Sequence, residues 1–177
     1  MSEPAMRELD WSAPFEELRE GQRFRSRART ITETDLVGFS ALTGDTHPQH
    51  TDAAWAAASR FGERIAHGML LVSYAVGLVP FDPERVLALR RIRDVVFKRP
   101  APIGATMHID GRISSLNRVG EGAGLVEWSW DIRDAGELLL CRAGVEVLWG
   151  TRAAAPPRHE DVPADGALDL PPGVVPC

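Results

Sequence analysis

The residues best suited to chemistry in this 177-residue chain lie in two short stretches. The first is Gly44-Asp45-Thr46-His47-Pro48-Gln49-His50-Thr51-Asp52, and the second is Ala66-His67-Gly68-Met69. Three of the five histidines fall between positions 47 and 67. An imidazole titrates near neutral pH, and a carboxylate beside it can orient water or balance the proton count. Asp45 and His50 therefore make a general acid/base pair if they converge on one point. Five residues apart on a helix, their side chains would diverge by about 140°. A loop over 44–51, with Gly44 behind it and Pro48 inside it, is the expected solution. Gly68 supplies the other half. It opens a long apolar run, and an N–H at a helix start is an unpaired donor in a zone of partial positive charge. Lacking a side chain, Gly lets a carbonyl approach that N–H closely. A thioester carbonyl polarised there has an acidic α-carbon and, when unsaturated, an electrophilic β-carbon, and the enolate oxygen is held as in an oxyanion hole. Hydration and dehydration are one reaction run in two directions, so the same parts serve both.

Positioning these groups takes an α+β domain. Gly21 to Ile31 reads as a first strand. Thr32-Glu33-Thr34-Asp35 reads as a helix start in which Thr32 caps and Asp35 reaches back, with Gly44 as the stop. A second short helix is expected from Asp52 to Arg60, with Asp52 as its N-cap. Met69 to Val79 is apolar on every side apart from Ser73 and Tyr74, and its length with Pro80 at the end favours a helix that something must enclose. Four extended stretches follow, at 86–98, 105–117, 124–134 and 137–149, separated by turn residues. Val126, Trp128, Trp130 and Ile132 alternate with Glu127, Ser129, Asp131 and Arg133. Helices followed by a meander of strands predict one antiparallel sheet, curved around the buried helix. The domain is expected to span 1–150. Residues 151–177, with six of the thirteen prolines, read as a tail that is poorly ordered or draped on the surface.

Composition narrows the function classes. A net charge of -5 and the lack of a basic stripe interleaved with aromatics argue against nucleic acid. The start of the chain has no secretory pattern, and the run Met69 to Pro80 is too short to span a bilayer. Cys141 and Cys177 form no framework, so a reduced cytoplasmic setting is expected. Lys98 is the sole lysine among twenty basic residues, which together with abundant Ala, Gly and Pro suggests a GC-rich bacterial genome.

Taken together, Gly44-Asp45-x-x-Pro48-x-His50-x-Asp52 and Phe61-Gly62-x-x-Ile65-Ala66-His67-Gly68-Met69 resemble the hydratase motif of the MaoC-like family. Val96-Phe97-Lys98-Arg99-Pro100 resembles that family's apolar-Phe-x-Lys-Pro segment. The likeness covers roughly residues 15–150. It implies a hot-dog fold and an (R)-specific enoyl-CoA hydratase or 3-hydroxyacyl-thioester dehydratase, in fatty-acid or polyketide-type metabolism. It implies Asp45 and His50 as the catalytic pair and Gly68 as the oxyanion donor. It also implies a homodimer formed by joining two sheets, and a substrate carried on coenzyme A or on the phosphopantetheine of an acyl carrier protein, with no other cofactor. One position departs: His47 stands where the family usually has Asn. A neutral imidazole also offers one donor and one acceptor, so the reaction type stands while the pH profile is expected to differ.

Other residues carry a plainer reading beside the functional one. His67 shapes the turn into the buried helix, and His47 either shapes the loop or tunes the site. Ser73 could bond near the site, although a bond to the preceding turn is its default. Arg90, Arg91, Arg93, Lys98 and Arg99 could meet phosphates or an acidic carrier face, or form a solvated strand edge. Lys98 and Arg99 are the candidates retained for phosphate. His47, His50, His67, Asp45 and Asp52 are metal-ligand types, but Pro48 interrupts the His-x-x-His spacing and no Cys completes a set, so no metal is expected. Two alternatives to a hydratase remain: a thioester hydrolase, which needs a carboxylate on or beside the central helix, and a silent acyl-binding partner subunit, which would not need both Asp45 and His50.

Overall fold

The structure is a computed structural model and describes residues 9–153. The predicted tail from residue 154 onward, and Cys177 with it, lie outside the described residues. A single 3-10 turn at Phe15–Glu17 leads into strands β1 (Arg23–Arg25) and β2 (Arg29–Thr30). Helices α1 (Glu33–Thr43), α2 (Pro48–Thr51), α3 (Ala53–Ala58) and α4 (Gly68–Leu78) follow. Strands β3 (Val86–Phe97), β4 (Thr106–Arg118), β5 (Ala123–Asp134) and β6 (Leu139–Gly150) complete the described chain. They form one antiparallel sheet in the order β1-β4-β5-β6-β3, with β2 also on β4.

Alternation along the strands sorts the side chains. Trp128, Trp130 and Ile132 of β5 pair with Val145, Ala143 and Cys141 of β6, and all six are buried. On this face the strands meet α4 through Leu70, Leu71, Val72, Ala75 and Leu78 in one continuous core. On the other face Asp110, Asp131 and Glu127 bind Arg25, Arg133, Arg142 and Arg93. Cys141 is buried, and burial pushes its thiol up to about 11, which leaves it without nucleophilic character at neutral pH.

Three expectations need correction. The single strand expected over 21–31 is two short strands, because Ser26 takes the Ile109 backbone N–H onto its side-chain oxygen between them. The loop expected over 44–51 winds one helical turn at α2. Pro48 sits at its first position, where a missing N–H costs no hydrogen bond and the fixed φ suits a helix. Finally, the described residues do not enclose α4 on all sides. Met69 is 53% exposed, and Ser73 and Gly77 are exposed along the same stripe.

The helix signals hold. Thr32 and Asp35 form the reciprocal capping box, Gly44 ends α1 with φ 76°, and the Asp52 carboxylate accepts the Trp55 N–H at 2.9 Å. Asp35 has further work: Arg29 and the Tyr74 hydroxyl also bond it, which holds its carboxyl down at about 2 against the opposing effect of burial.

Gly111 allows the aromatic end of the core to close. It lies opposite Phe24, and a Cβ there would sit 2.0 Å from the Phe24 ring. That ring packs edge-on against Trp11 and Trp128 at 5.0 and 5.4 Å between centroids, so it has no room to retreat. Gly111→Ala is expected to cost about 1–3 kcal/mol through overpacking, read as a lowered calorimetric melting temperature.

Candidate functional site

The loop of the first motif is tied to the chain that enters α4. The Ile65 N–H donates to the Gln49 carbonyl at 3.2 Å, and the His50 Nδ1 donates to the Ile65 carbonyl at 2.7 Å. The next residue is tied to the sheet: the Ala66 N–H donates to Ala101 O at 2.7 Å, and Ile65 pairs with Pro102 in the connection between β3 and β4. A carbonyl can only accept, so Nδ1 of His50 carries the proton and Nε2 keeps its lone pair in the neutral ring. His50 is only 5% exposed. Its pKa lies below the ordinary 6.5, first because burial penalises the cation and then because His67 and His47 stand nearby; the Ile65 carbonyl and Asp45 oppose this.

His67 is stacked on His50, with centroids 3.8 Å apart and planes 25° from parallel, and it packs at a tilt against Phe39, with centroids 5.0 Å apart. Its Nε2 lies 3.1 Å from Asp45 O and 3.2 Å from Ser40 Oγ, so Nε2 carries the proton and donates to both. His67 thereby fixes the backbone of Asp45. The Asp45 carboxylate accepts the His47 N–H at 3.2 Å and is open to solvent. Ligand-type atoms of Asp45, His50 and His67 all lie within 4.8 Å of one another. The structure thus brings Asp45 and His50 together and adds His67 between the loop and α4.

His47 takes the place of an N-cap: its Nδ1 accepts the Gln49 N–H at 3.2 Å at the start of α2, as the oxygen of an Asn would. The departure at this position therefore keeps the acceptor and changes its chemical type.

Gly68 begins α4, and His67 before it makes no side-chain cap; the Leu70 and Leu71 N–H groups reach the His67 carbonyl, at 3.1 and 3.4 Å, which leaves the Gly68 N–H without an acceptor among the described residues. The space a side chain would occupy is filled: a Cβ would lie 2.6 Å from the Phe97 ring. Gly is required there for close packing by Phe97, a role that motif reasoning on Gly68 alone did not contain. The segment Val96 to Pro100 held the signal. Ser73 is not brought to the loop; its hydroxyl donates to Met69 O at 2.8 Å.

The arginines divide. Arg90 and Arg91 bond the buried Glu146 carboxylate at 2.6 and 3.1 Å, and Arg93 bonds Glu127 and Asp94. They neutralise a carboxylate that could not otherwise be buried. The Lys98 side chain has no ion-pair partner among the described residues, and the Arg99 guanidinium donates to the Leu139 carbonyl at 3.1 Å. A cleft of about 840 Å³ lies on the other face of the sheet, among Arg23, Arg25, Arg112 and Arg133, away from this site. No described helix is long and apolar enough to cross a membrane.

Known proteins resemble this chain in sequence and in fold. The model of the MaoC like domain matches residues 15–127. Protein MaoC of Klebsiella aerogenes is 38% identical over 96 residues, 54% of this chain and 29% of that protein. An (R)-specific enoyl-CoA hydratase of Rhodospirillum rubrum is 36% identical over 102 residues, 58% of this chain and 70% of its own length. A 3-hydroxybutyryl-CoA dehydratase of Methylorubrum extorquens is 32% identical over 91 residues, 50% of this chain and 56% of its own length. The match therefore spans under a third of the first relative and just over half of the third. Among solved structures, a monoamine oxidase regulatory protein from Archaeoglobus fulgius superposes with TM-score 0.74 at 32% identity, over 78% of this chain and 95% of that one. The R-hydratase PhaJ1 from Pseudomonas aeruginosa gives 0.66 at 27%, over 78% and 86%. A double hotdog protein of Mycobacterium tuberculosis shares the fold at TM-score 0.71 and 19% identity, over 84% and 47%. With the sheet wrapped on α4, the loop carrying Asp45 and His50, and the family model covering well over half its length, the chain has the hot-dog fold and belongs to the MaoC-like domain family.

Proposed function

We propose that this protein adds water to 2-enoyl thioesters to give (R)-3-hydroxyacyl thioesters, and catalyses the reverse dehydration. The observation that carries the reading is the arrangement at His50: Nδ1 is spent on the Ile65 carbonyl, Nε2 keeps its lone pair as an acceptor, and the Asp45 carboxylate is in reach. A thioester carbonyl set at the start of α4 would face the uncapped N–H of Gly68. His50 Nε2 takes a proton from a water oriented by Asp45, and the water oxygen bonds the β-carbon. The double-bond electrons move toward the carbonyl oxygen, where the helix N–H stabilises them. The proton held by His50 then passes to the α-carbon, so H and OH are both delivered and the base is restored.

The substrate would arrive on coenzyme A or on a carrier protein. Lys98 follows Phe97, whose ring contacts Gly68, and this supports a role for Lys98, with Arg99 beside it, at the phosphate end of the carrier. The stripe of α4 and the edge of β3 that the described residues leave open, with Leu87, Val96 and Phe97 each over 40% exposed, are surfaces that a second copy would bury in a homodimer. No further cofactor enters the proposed chemistry, and the cytoplasm is the proposed setting. A hydrolase would need a carboxylate on or beside α4; Gly68–Leu78 carries none, and the Asp35 carboxylate beside it is taken up by Tyr74, Arg29 and Thr32.

Hydration of a crotonyl-type thioester is read as loss of its enone absorbance. Asp45→Asn and His50→Ala are each expected to lower the rate by about 10²–10⁴, and unchanged rates in both would overturn the proposal. Stoichiometric zinc in the purified protein would overturn its metal-free form. Because the His50 pKa is lowered, the base stays neutral to a more acidic pH than a free imidazole, so the acid limb of the rate profile is expected below 6.5. Lys98→Ala is expected to raise KM for the coenzyme A thioester by about two- to fivefold with kcat retained; a matched assay on the carrier-protein substrate shows which carrier the site reads.

A further inference from the structure

The residue between Pro48 and His50 is not spent on packing alone. The Gln49 side-chain nitrogen lies 2.9 Å from His50 Nε2. Since Nδ1 of His50 must donate to the Ile65 carbonyl, Nε2 is an acceptor in the neutral ring, and the Gln49 amide N–H is the donor to it. Gln49 is also held at both ends of its backbone: its N–H donates to His47 Nδ1, and its carbonyl accepts from Ile65 N–H, each at 3.2 Å. Its side chain therefore starts from a fixed point, one residue from the base and half-buried beside it.

We infer that Gln49 is the positioning residue of this site: its amide occupies the one bare nitrogen of His50, and the reacting water reaches the base by displacing that amide. The inference rests on His50 being the base. An amide suits the task because it serves both protonation states. Its N–H₂ donates to the lone pair of the neutral ring. Once Nε2 has taken a proton it needs an acceptor, and a half-turn of the same amide presents Oε1. Gln49 thus follows the proton without carrying charge. The ionisable groups facing His50 are Asp45 and His47 from the loop and His67 stacked from the turn into α4. Gln49 adds an uncharged contact directly on the reacting nitrogen, which none of those three supplies.

Two variants test this on the whole protein without substrate, by long-range proton–nitrogen spectra of its histidine rings. Gln49→Met keeps the length of the side chain and deletes the donor; at a pH where His50 is neutral, its Nε2 resonance is expected to move downfield as the hydrogen bond is lost. Gln49→Glu places a carboxylate on the same nitrogen and is expected to raise the His50 pKa by about one unit or more. The acid limb of turnover should move upward with it, at about tenfold loss of rate per unit at a pH below that limb. A packing role alone would move neither the Nε2 resonance nor the titration. An Nε2 resonance that stays in place in the Met variant, or a His50 titration that stays in place in the Glu variant, overturns the inference. Because both spectra are read without turnover, a wild-type protein that hydrates no enoyl thioester would refute the enzymatic reading while leaving the Gln49 contact separately decided.

Discussion

The bond from His50 Nδ1 to the Ile65 carbonyl organises the site. One acceptor selects the tautomer, sets the plane of the ring and turns the lone pair toward the Gln49 amide. Ile65 is itself fixed by its N–H on Gln49, by its bridge to Pro102 and by the bond of its neighbour Ala66 to Ala101. The orientation of the imidazole is thus referenced to the connection between two long strands, and not to the loop that carries it. An imidazole held only by its own loop would sample many rotamers, and geometry at the level of fractions of an ångström would be lost.

The same economy governs His67. With Nε2 on Asp45 O and Ser40, and its ring against His50 and Phe39, it joins α1, the loop and the start of α4 in one packed unit. Two stacked imidazoles this close disfavour a second positive charge, which is one of the reasons that His50 stays neutral. On the far side of the sheet, charge is handled in the opposite manner. Glu146 is buried but surrounded by arginines, so the outer face is neutralised by pairing while the site keeps its polar groups sparse and directional.

Close backbone approaches finish the architecture. Gly111 lets Phe24 lie across β4, and Gly68 lets Phe97 lie across the start of α4. The second contact couples the edge strand β3 to the N-terminus of α4. β3 is also the strand with the most irregular register, broken at three places and containing Asp94 at φ 52°, features that discourage uncontrolled pairing along an exposed edge.

Sequence alone determined the elements whose causes are local. The Thr32–Asp35 box, the Gly44 stop, the Asp52 cap and the alternation from Val126 to Ile132 are short-range patterns, and each forms as expected. The family motif placed Asp45, His50 and Gly68 in one region for the same reason: the residues are close in the chain. Tertiary structure decided what depends on distant partners. The tautomer of His50 needs the Ile65 carbonyl, the place of His47 needs the turn that Pro48 starts, and the Gln49 amide reaches the His50 ring only once that turn is wound. Arg90, Arg91 and Arg93 read as a possible phosphate patch until Glu146, more than fifty residues away, claimed two of them directly. A residue type says which bonds it can make; which bond it makes is set by the groups that folding brings within about 3 Å.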